Sequence, residues 1–277
     1  MESFLLTPFK VARKRIGLVF APAIPVLFLM AYFVMVSGVS EPVALLEQTD
    51  SYLGGTMYLS AANLTAFNEL STNVQIPIIR LGGIAEMSDI HELNSPFSAN
   101  FILVFTVLFL GFISYAIVAR SVSSLIKNEK KGGLLGINPG TIILSAVAAF
   151  LMIFITSFSL GGFKLLLMIS FGLYFTFSIP YAAAGDPLGE SIFKGFKFLS
   201  RNPGRIVASY IGCMGAAIMI PIGLLIFTTP LILNLESVTV TTLLKLFLGL
   251  LSLILALFYQ MALCAVAVFG KKDDLGV

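Results

Sequence analysis

The chain has 277 residues, of which 58% are hydrophobic and 11% are charged, and its net charge is +3. Soluble domains carry about 25% charged residues, so this composition excludes an ordinary soluble protein. Runs of roughly 20 apolar residues recur along the chain, as transmembrane helices require. The sequence therefore predicts an all-α, polytopic integral membrane protein, for which we expect no nucleic-acid partner.

Six apolar segments are each long enough to cross a hydrocarbon core of about 30 Å at 1.5 Å per residue. They cover approximately residues 17–38, 99–118, 141–160, 165–184, 206–233 and 243–269. The first apolar segment follows a basic stretch, and the apolar part of a signal peptide does the same. It is about 22 residues long, whereas the apolar part of a cleaved signal peptide has about 7–15. We therefore expect an uncleaved membrane anchor.

The basic residues indicate the orientation. Of the 17 Lys and Arg residues, 14 lie in the two termini and in the segments between spans two and three and between spans four and five. Because Lys and Arg are enriched on the cytoplasmic side, both termini are predicted to face the cytoplasm, in the plasma membrane. Residues 1–277 then form a single transmembrane domain, with 42–97 as an outer loop or small cap. Asn63 begins a glycosylation sequon in that loop.

An Asn-Pro-Gly motif occurs twice, at residues 138–140 and 202–204. Asn is a favoured helix N-cap, and Pro is favoured at the first helical position. We interpret Asn138 and Asn202 as N-caps of spans three and five. The alternative is a pore motif similar to the paired Asn-Pro-Ala of water channels, which must enter from opposite faces. The charge distribution places both motifs on the same side, and this argues against a pore.

More than the motif recurs. Each copy follows a short basic stretch and precedes a pair of spans, and the N-terminal "LLTPFKVARKRIGLV" resembles a third copy without Asn-Pro-Gly. We predict three helical hairpins, each introduced by an amphipathic helix on the cytoplasmic surface.

The clearest of these amphipathic segments is 187–200, where Asp186 is expected to be the N-cap and Pro187 the first helical residue. Its apolar positions are Leu188, Ile192, Phe193, Phe196 and Leu199. A basic amphipathic helix of this kind attracts anionic lipid headgroups. The candidate headgroup residues are Lys194, Lys197, Arg201 and Arg205. The alternative interpretation is that the segment only orients the next hairpin.

Few residues within the spans have polar or reactive side chains that could bind a ligand or catalyse a reaction. The most polar central pair is Tyr259 and Gln260, and we expect a partner for Gln260 among Thr156, Ser157, Thr176 and Ser178 of spans three and four. Such a contact is typical of helix-to-helix packing. Cys213 and Cys264 have no CxxC partner or nearby His, so we interpret them as small buried residues. We therefore expect no catalytic set, no metal, no cofactor and no enzymatic activity.

Small residues at Ala208, Gly212 and Ala216 form a stripe on span five, which predicts close packing against another helix.

The stretch "GESIFKGFKFLSRNPGRIVASYI", residues 189–211, resembles a diffuse group of prokaryotic six-span membrane proteins of unknown function. It is also similar to the membrane region attached to some glycerophosphodiester phosphodiesterases. The resemblance covers about the last 150 residues. It implies no catalytic residue in this chain, because the catalytic domain of those enzymes is a separate part. The absence of Trp and the high Ile, Phe and Gly content suit an archaeal protein.

These observations lead to two hypotheses. The first is a non-catalytic membrane subunit or scaffold, which binds other membrane protein subunits and anionic lipids. The alternative is a carrier or flippase for a lipid or an uncharged solute.

Overall fold

A computed structural model describes residues 2–28, 99–127, 137–156, 162–233 and 238–270. Within these ranges the chain is helical and contains no strand. The predicted outer segment 42–97, with Asn63, lies outside the described residues.

Seven α-helices are described, and the remainder of the N-terminal segment is a short apolar helix. The α-helices are α1 (Glu2–Lys14), α2 (Ala99–Ile126), α3 (Pro139–Thr156), α4 (Gly162–Ala183), α5 (Leu188–Arg201), α6 (Pro203–Leu233) and α7 (Val238–Phe269). The short apolar helix covers Ile16–Phe28 and begins with a 3₁₀ turn.

Four helices in the described ranges are long and apolar enough to cross a membrane. The qualifying segments are Val104–Ile126, Leu166–Ala183, Pro203–Thr228 and Phe247–Phe269, which belong to α2, α4, α6 and α7. Pro139–Ile155 and Ile16–Phe28 are shorter apolar helices. The chain thus has the helices of a multi-pass membrane protein.

Two predicted boundaries were wrong. Arg120 was expected in a loop, but α2 continues to Ile126, because Val122 and neighbouring small hydroxyl residues are buried against other helices. Arg205 was also expected in a loop, but α6 already begins at Pro203. In both places the packed helix extends past the apolar run into more polar sequence.

Helix α7 is the centre of the structure. It contacts α6, α2, α4 and α1, and 78% of its Phe247–Phe269 segment is buried. The N-terminal helix α1 packs directly on it. The Tyr259 hydroxyl donates a hydrogen bond of 2.9 Å to the Leu5 carbonyl, and the Phe9 and Tyr259 ring centroids are 5.3 Å apart. The first and last described helices are therefore joined.

A tight turn connects α4 to α5. Gly185 has φ of +104°, a left-handed conformation that glycine adopts without steric cost. The Gly185 N–H donates to Ala182 O at 3.0 Å, and the Asp186 N–H donates to Tyr181 O at 3.1 Å. This is the Schellman pattern that ends many helices. It turns the chain sharply, so that α5 lies against α4.

Candidate functional site

Helix α5 contacts α4 through two small residues and one phenylalanine, whereas two other phenylalanines of α5 do not take part. Ser191, Gly195 and Phe198 are buried, and Gly195 lies so close to Ser178 of α4 that a Cβ there would meet the Ser178 Cα at 2.9 Å. Phe193 and Phe196 point outward, with 65% and 64% of their surfaces exposed. The helix was predicted to have one apolar face, but it has two.

One of the candidate headgroup residues, Lys194, is held within the chain. Its ammonium lies 2.8 Å from the Asp186 carboxylate and 3.2 Å from Glu190. The hydrogen bond that Lys194 donates to the Asp186 carboxylate raises the pKa of Lys194 above its ordinary value. The predicted N-cap at Asp186 was wrong: Pro187 is the N-cap residue, and the Asp186 carboxylate pairs with Lys194 instead. The Asp186 side chain, which the local sequence predicted to cap α5, forms this ion pair instead.

Arg205, a second candidate, also makes contacts within the chain. Its guanidinium donates hydrogen bonds to Gly270 O at 3.0 Å and to Ala267 O at 3.4 Å. The last carbonyls of a helix lack partners and carry partial negative charge. Arg205 of α6 therefore completes the end of α7. This contact links helix ends that are 65 residues apart.

The remaining two candidates differ from these. Lys197 and Arg201 are exposed, and among the described residues neither forms an ion pair or a hydrogen bond through its side chain. They are four positions apart in α5 and therefore lie next to each other on its surface. Phe193 is four positions before Lys197, so the apolar and basic surfaces of α5 adjoin.

The two Asn-Pro-Gly motifs make different contacts. Asn138 Oδ1 accepts a hydrogen bond of 3.2 Å from the Gly140 N–H, as a cap of α3 would. The Asn202 side chain instead donates to Phe198 O at 3.2 Å, and its backbone N–H donates to the same carbonyl at 3.0 Å. The contact at Asn202 thus ends α5, whereas the sequence predicted a cap on the following helix. The reason is that α5 stops directly before the second motif and leaves its final carbonyls nearby.

Gln260 is fully buried in α7, and its partner is on α6. Its Nε2 donates to Cys213 O at 3.3 Å, and the Cys213 thiol lies 3.9 Å from Gln260 O. The expectation of a partner in spans three or four was therefore wrong. Gln260 lies on the side of α7 that faces α6. Tertiary packing determines which side of an apolar helix faces a given neighbour, so the sequence alone did not predict this partner.

Some buried polar atoms in the described residues have no hydrogen-bond partner. They are Thr141 Oγ1, Ser145 Oγ, Ser178 Oγ and Gln260 Oε1. The Cys213 and Cys264 thiols are close together, at 3.9 Å, and both are buried and free. Within the described ranges no three His, Cys, Asp or Glu residues are grouped so that they could hold a metal ion.

Helix α6 has the least covered surface of the spanning helices. Only 18% of its Pro203–Thr228 segment is buried, against 50–78% in the other three. One side contacts α7: a Cβ at Gly212 would meet Leu263 Cδ2 at 2.5 Å, so the predicted small-residue stripe lies in a close helix contact. Another part of the α6 surface, here called its open side, has no close neighbour among the described residues: nothing there lies within 4 Å of a Cβ built at Gly215 or Gly223.

The fold and these contacts define a helical, multi-pass membrane protein with an exposed basic surface on α5 and an exposed apolar surface on α6. In comparisons with known proteins, no family model, curated protein or solved structure matches the chain.

Proposed function

We propose that this chain is a non-catalytic subunit or scaffold of a membrane protein complex, and that the open side of α6 binds a transmembrane helix of another subunit. The exposed residues on this side include Ile211, Ile218, Met219 and Ile226, which are 46–65% exposed. They recur at helical spacing and form a continuous apolar face.

The observation that carries the proposal is the pair of glycines in this face. Gly215 and Gly223 lie beside Met219, four positions to either side, so the large side chains are interrupted by gaps. Lipid chains are as apolar as Leu, and therefore apolar character alone does not drive helices together. Glycine on a helix surface lets a second backbone approach closely. Exposed methionines add a side chain that adapts to different partners.

Purification in a mild detergent, followed by native mass spectrometry, tests the association. We expect a complex that is heavier than the 29.8 kDa chain. A monodisperse monomer without a second protein would contradict the proposal.

A glycine substitution tests the surface itself. No described residue lies within 4 Å of a Cβ at Gly215, so Gly215→Leu fills this gap. We expect the variant to weaken the association about tenfold or more, because overpacking an interface costs about 1–3 kcal/mol. Gly172→Leu is the matched control, since no residue in the described ranges lies within 4 Å of a Cβ at Gly172 of α4. We expect the control to leave the complex intact.

The two variants separate the possible results. Equal masses for wild type and Gly215→Leu would refute the proposed surface. A lower Tm with an unchanged mass would mean that another part of the same chain covers this side of α6, and this too would overturn it.

A second candidate is a carrier or flippase for a lipid or an uncharged solute. The buried and unpartnered hydroxyls of Thr141, Ser145 and Ser178 favour it, because polar groups within apolar helices often line a path for a substrate. Reconstitution into liposomes tests this function. Solute uptake or lipid scrambling above that of empty liposomes would support the carrier, and activity equal to that of empty liposomes would exclude it.

The topology belongs to the same proposal. We propose six spans in three hairpins in the plasma membrane, with both termini cytoplasmic. Ile16–Phe28 and Pro139–Ile155 would supply part of the two spans beyond the four long helices. The bias of Lys and Arg supports this orientation.

A further inference from the structure

The surface of α5 combines two features along one ridge of the helix. Phe193, Lys197 and Arg201 follow one another at intervals of four residues and therefore lie in a row. Phe193 is 65% exposed, and both basic side chains are also exposed. The row thus passes from an apolar end to a basic end, with Phe196 beside it on the apolar side.

The position of α5 determines what can meet this row. It begins five residues after α4 ends and stops two residues before α6 begins, and both neighbours contain candidate membrane spans. A helix connecting two spans in this way lies at the membrane boundary. There, exposed aromatic side chains reach the acyl region, while long basic side chains reach the headgroups.

The ion pairs of α5 leave a specific pair of charges available. Lys194 is neutralised by Asp186 and Glu190, and Arg205 is bound to the end of α7. Lys197 and Arg201 remain on the outward row. Their Cβ atoms are expected to be about 5–6 Å apart, a separation that lets both side chains contact one phosphate group.

We propose that α5 is a binding site for anionic phospholipid of the surrounding bilayer. Lys197 and Arg201 bind the lipid phosphate, and Phe193 and Phe196 contact the acyl chains. The site requires both parts of the ligand, a phosphate and an attached hydrocarbon chain. It is independent of any protein partner on α6.

The expected effect follows from the two charges. Each Lys or Arg near an anionic membrane surface contributes about 1 kcal/mol, so removing both weakens binding about thirtyfold. The test is a titration of the purified full chain with phosphatidylglycerol, followed by native mass spectrometry at low ionic strength. Phosphatidylcholine with the same acyl chains is the zwitterionic comparison.

We expect Lys197→Gln/Arg201→Gln to lower the affinity for phosphatidylglycerol about thirtyfold and to leave that for phosphatidylcholine unchanged. The control is Arg13→Gln/Lys127→Gln, which removes the same charge from exposed positions on two separate segments, α1 and the residue after α2. We expect the control to bind like wild type. Equal losses in both double variants would show diffuse surface charge, and this would overturn the proposal.

A third variant tests the acyl contact. Phe193→Ser/Phe196→Ser keeps every charge, and we expect it to weaken phosphatidylglycerol binding as well. Unchanged binding in this variant, or full displacement of the lipid by inorganic phosphate at equal concentration, would show a site for phosphate alone and would contradict the proposal. Each variant should retain the helical circular dichroism of wild type, because all six substituted side chains are exposed.

Discussion

Gly195 provides the sharpest test of how α5 is held. In the structure it lies against Ser178 of α4, where an added Cβ would meet Ser178 Oγ, and Ser178 Cα at 2.9 Å. The Oγ could rotate away, but the Cα belongs to the helix backbone. Gly195→Ala therefore requires the two helices to separate.

The size of the effect can be worked out from the contact. An ordinary contact is at least 3.4 Å, so the 2.9 Å distance must grow by about 0.5 Å. Overpacking of this kind costs about 1–3 kcal/mol. Ala is favoured over Gly in a helix by about 0.8–1.0 kcal/mol, which offsets part of the cost. We expect a net destabilisation of about 1 kcal/mol, and at most about 2 kcal/mol.

Thermal unfolding in detergent, followed by circular dichroism, measures this loss. Gly189→Ala is the matched control on the same helix, because no described residue lies within 4 Å of its Cβ position. We expect the control to be at least as stable as wild type. Adding Ser178→Gly to Gly195→Ala should restore part of the stability, since it removes the Ser178 Cβ and Oγ. Equal Tm values for Gly195→Ala and Gly189→Ala would refute the close contact of α5 with α4.

Four further predictions concern polar contacts at or near the ends of helices. Asn138→Ala should lower the free energy of unfolding by about 0.5–2 kcal/mol through loss of a cap, as chemical unfolding can measure. Asn202→Ala should leave hydrogen exchange at the start of α6 unchanged and should speed it at the end of α5. Arg205→Gln should speed hydrogen exchange in the last turn of α7, and unchanged exchange there would contradict the assigned contact. The pKa of Lys194 is raised by Asp186, so its contribution to stability is complete below pH 10.5 and is lost as the pH rises through the higher folded value. A Lys194→Met variant should therefore lose the alkaline part of the pH dependence of Tm.

Local and periodic features were predictable from the sequence. The apolar runs indicated membrane helices, and four helices in the described residues have the required length and hydropathy. The amphipathic segment 187–200 corresponds closely to α5, Leu188–Arg201. These features depend on the spacing of apolar residues within one element, which a single sequence contains.

The contacts between elements were not predictable in the same way. The predicted partner of Gln260 lay in the wrong spans, because nothing in the apolar sequence of α7 shows which of its sides faces α6. Asp186 and Asn202 both carry capping side chains, yet each makes a competing contact with a neighbouring group. The proximity of Gly195 to Ser178 follows from the sharp turn at Gly185. The geometry of that turn could not be predicted from the sequence.

The central claim is that the open side of α6 binds another subunit. A photo-crosslinking amino acid placed at Ile211, 65% exposed on that side, tests it in intact membranes, with Ile143 on α3, 53% exposed, as the control position. We expect a discrete crosslinked protein product from Ile211 and none from Ile143. Crosslinks to lipid alone from Ile211, or the same protein product from both positions, would contradict the account.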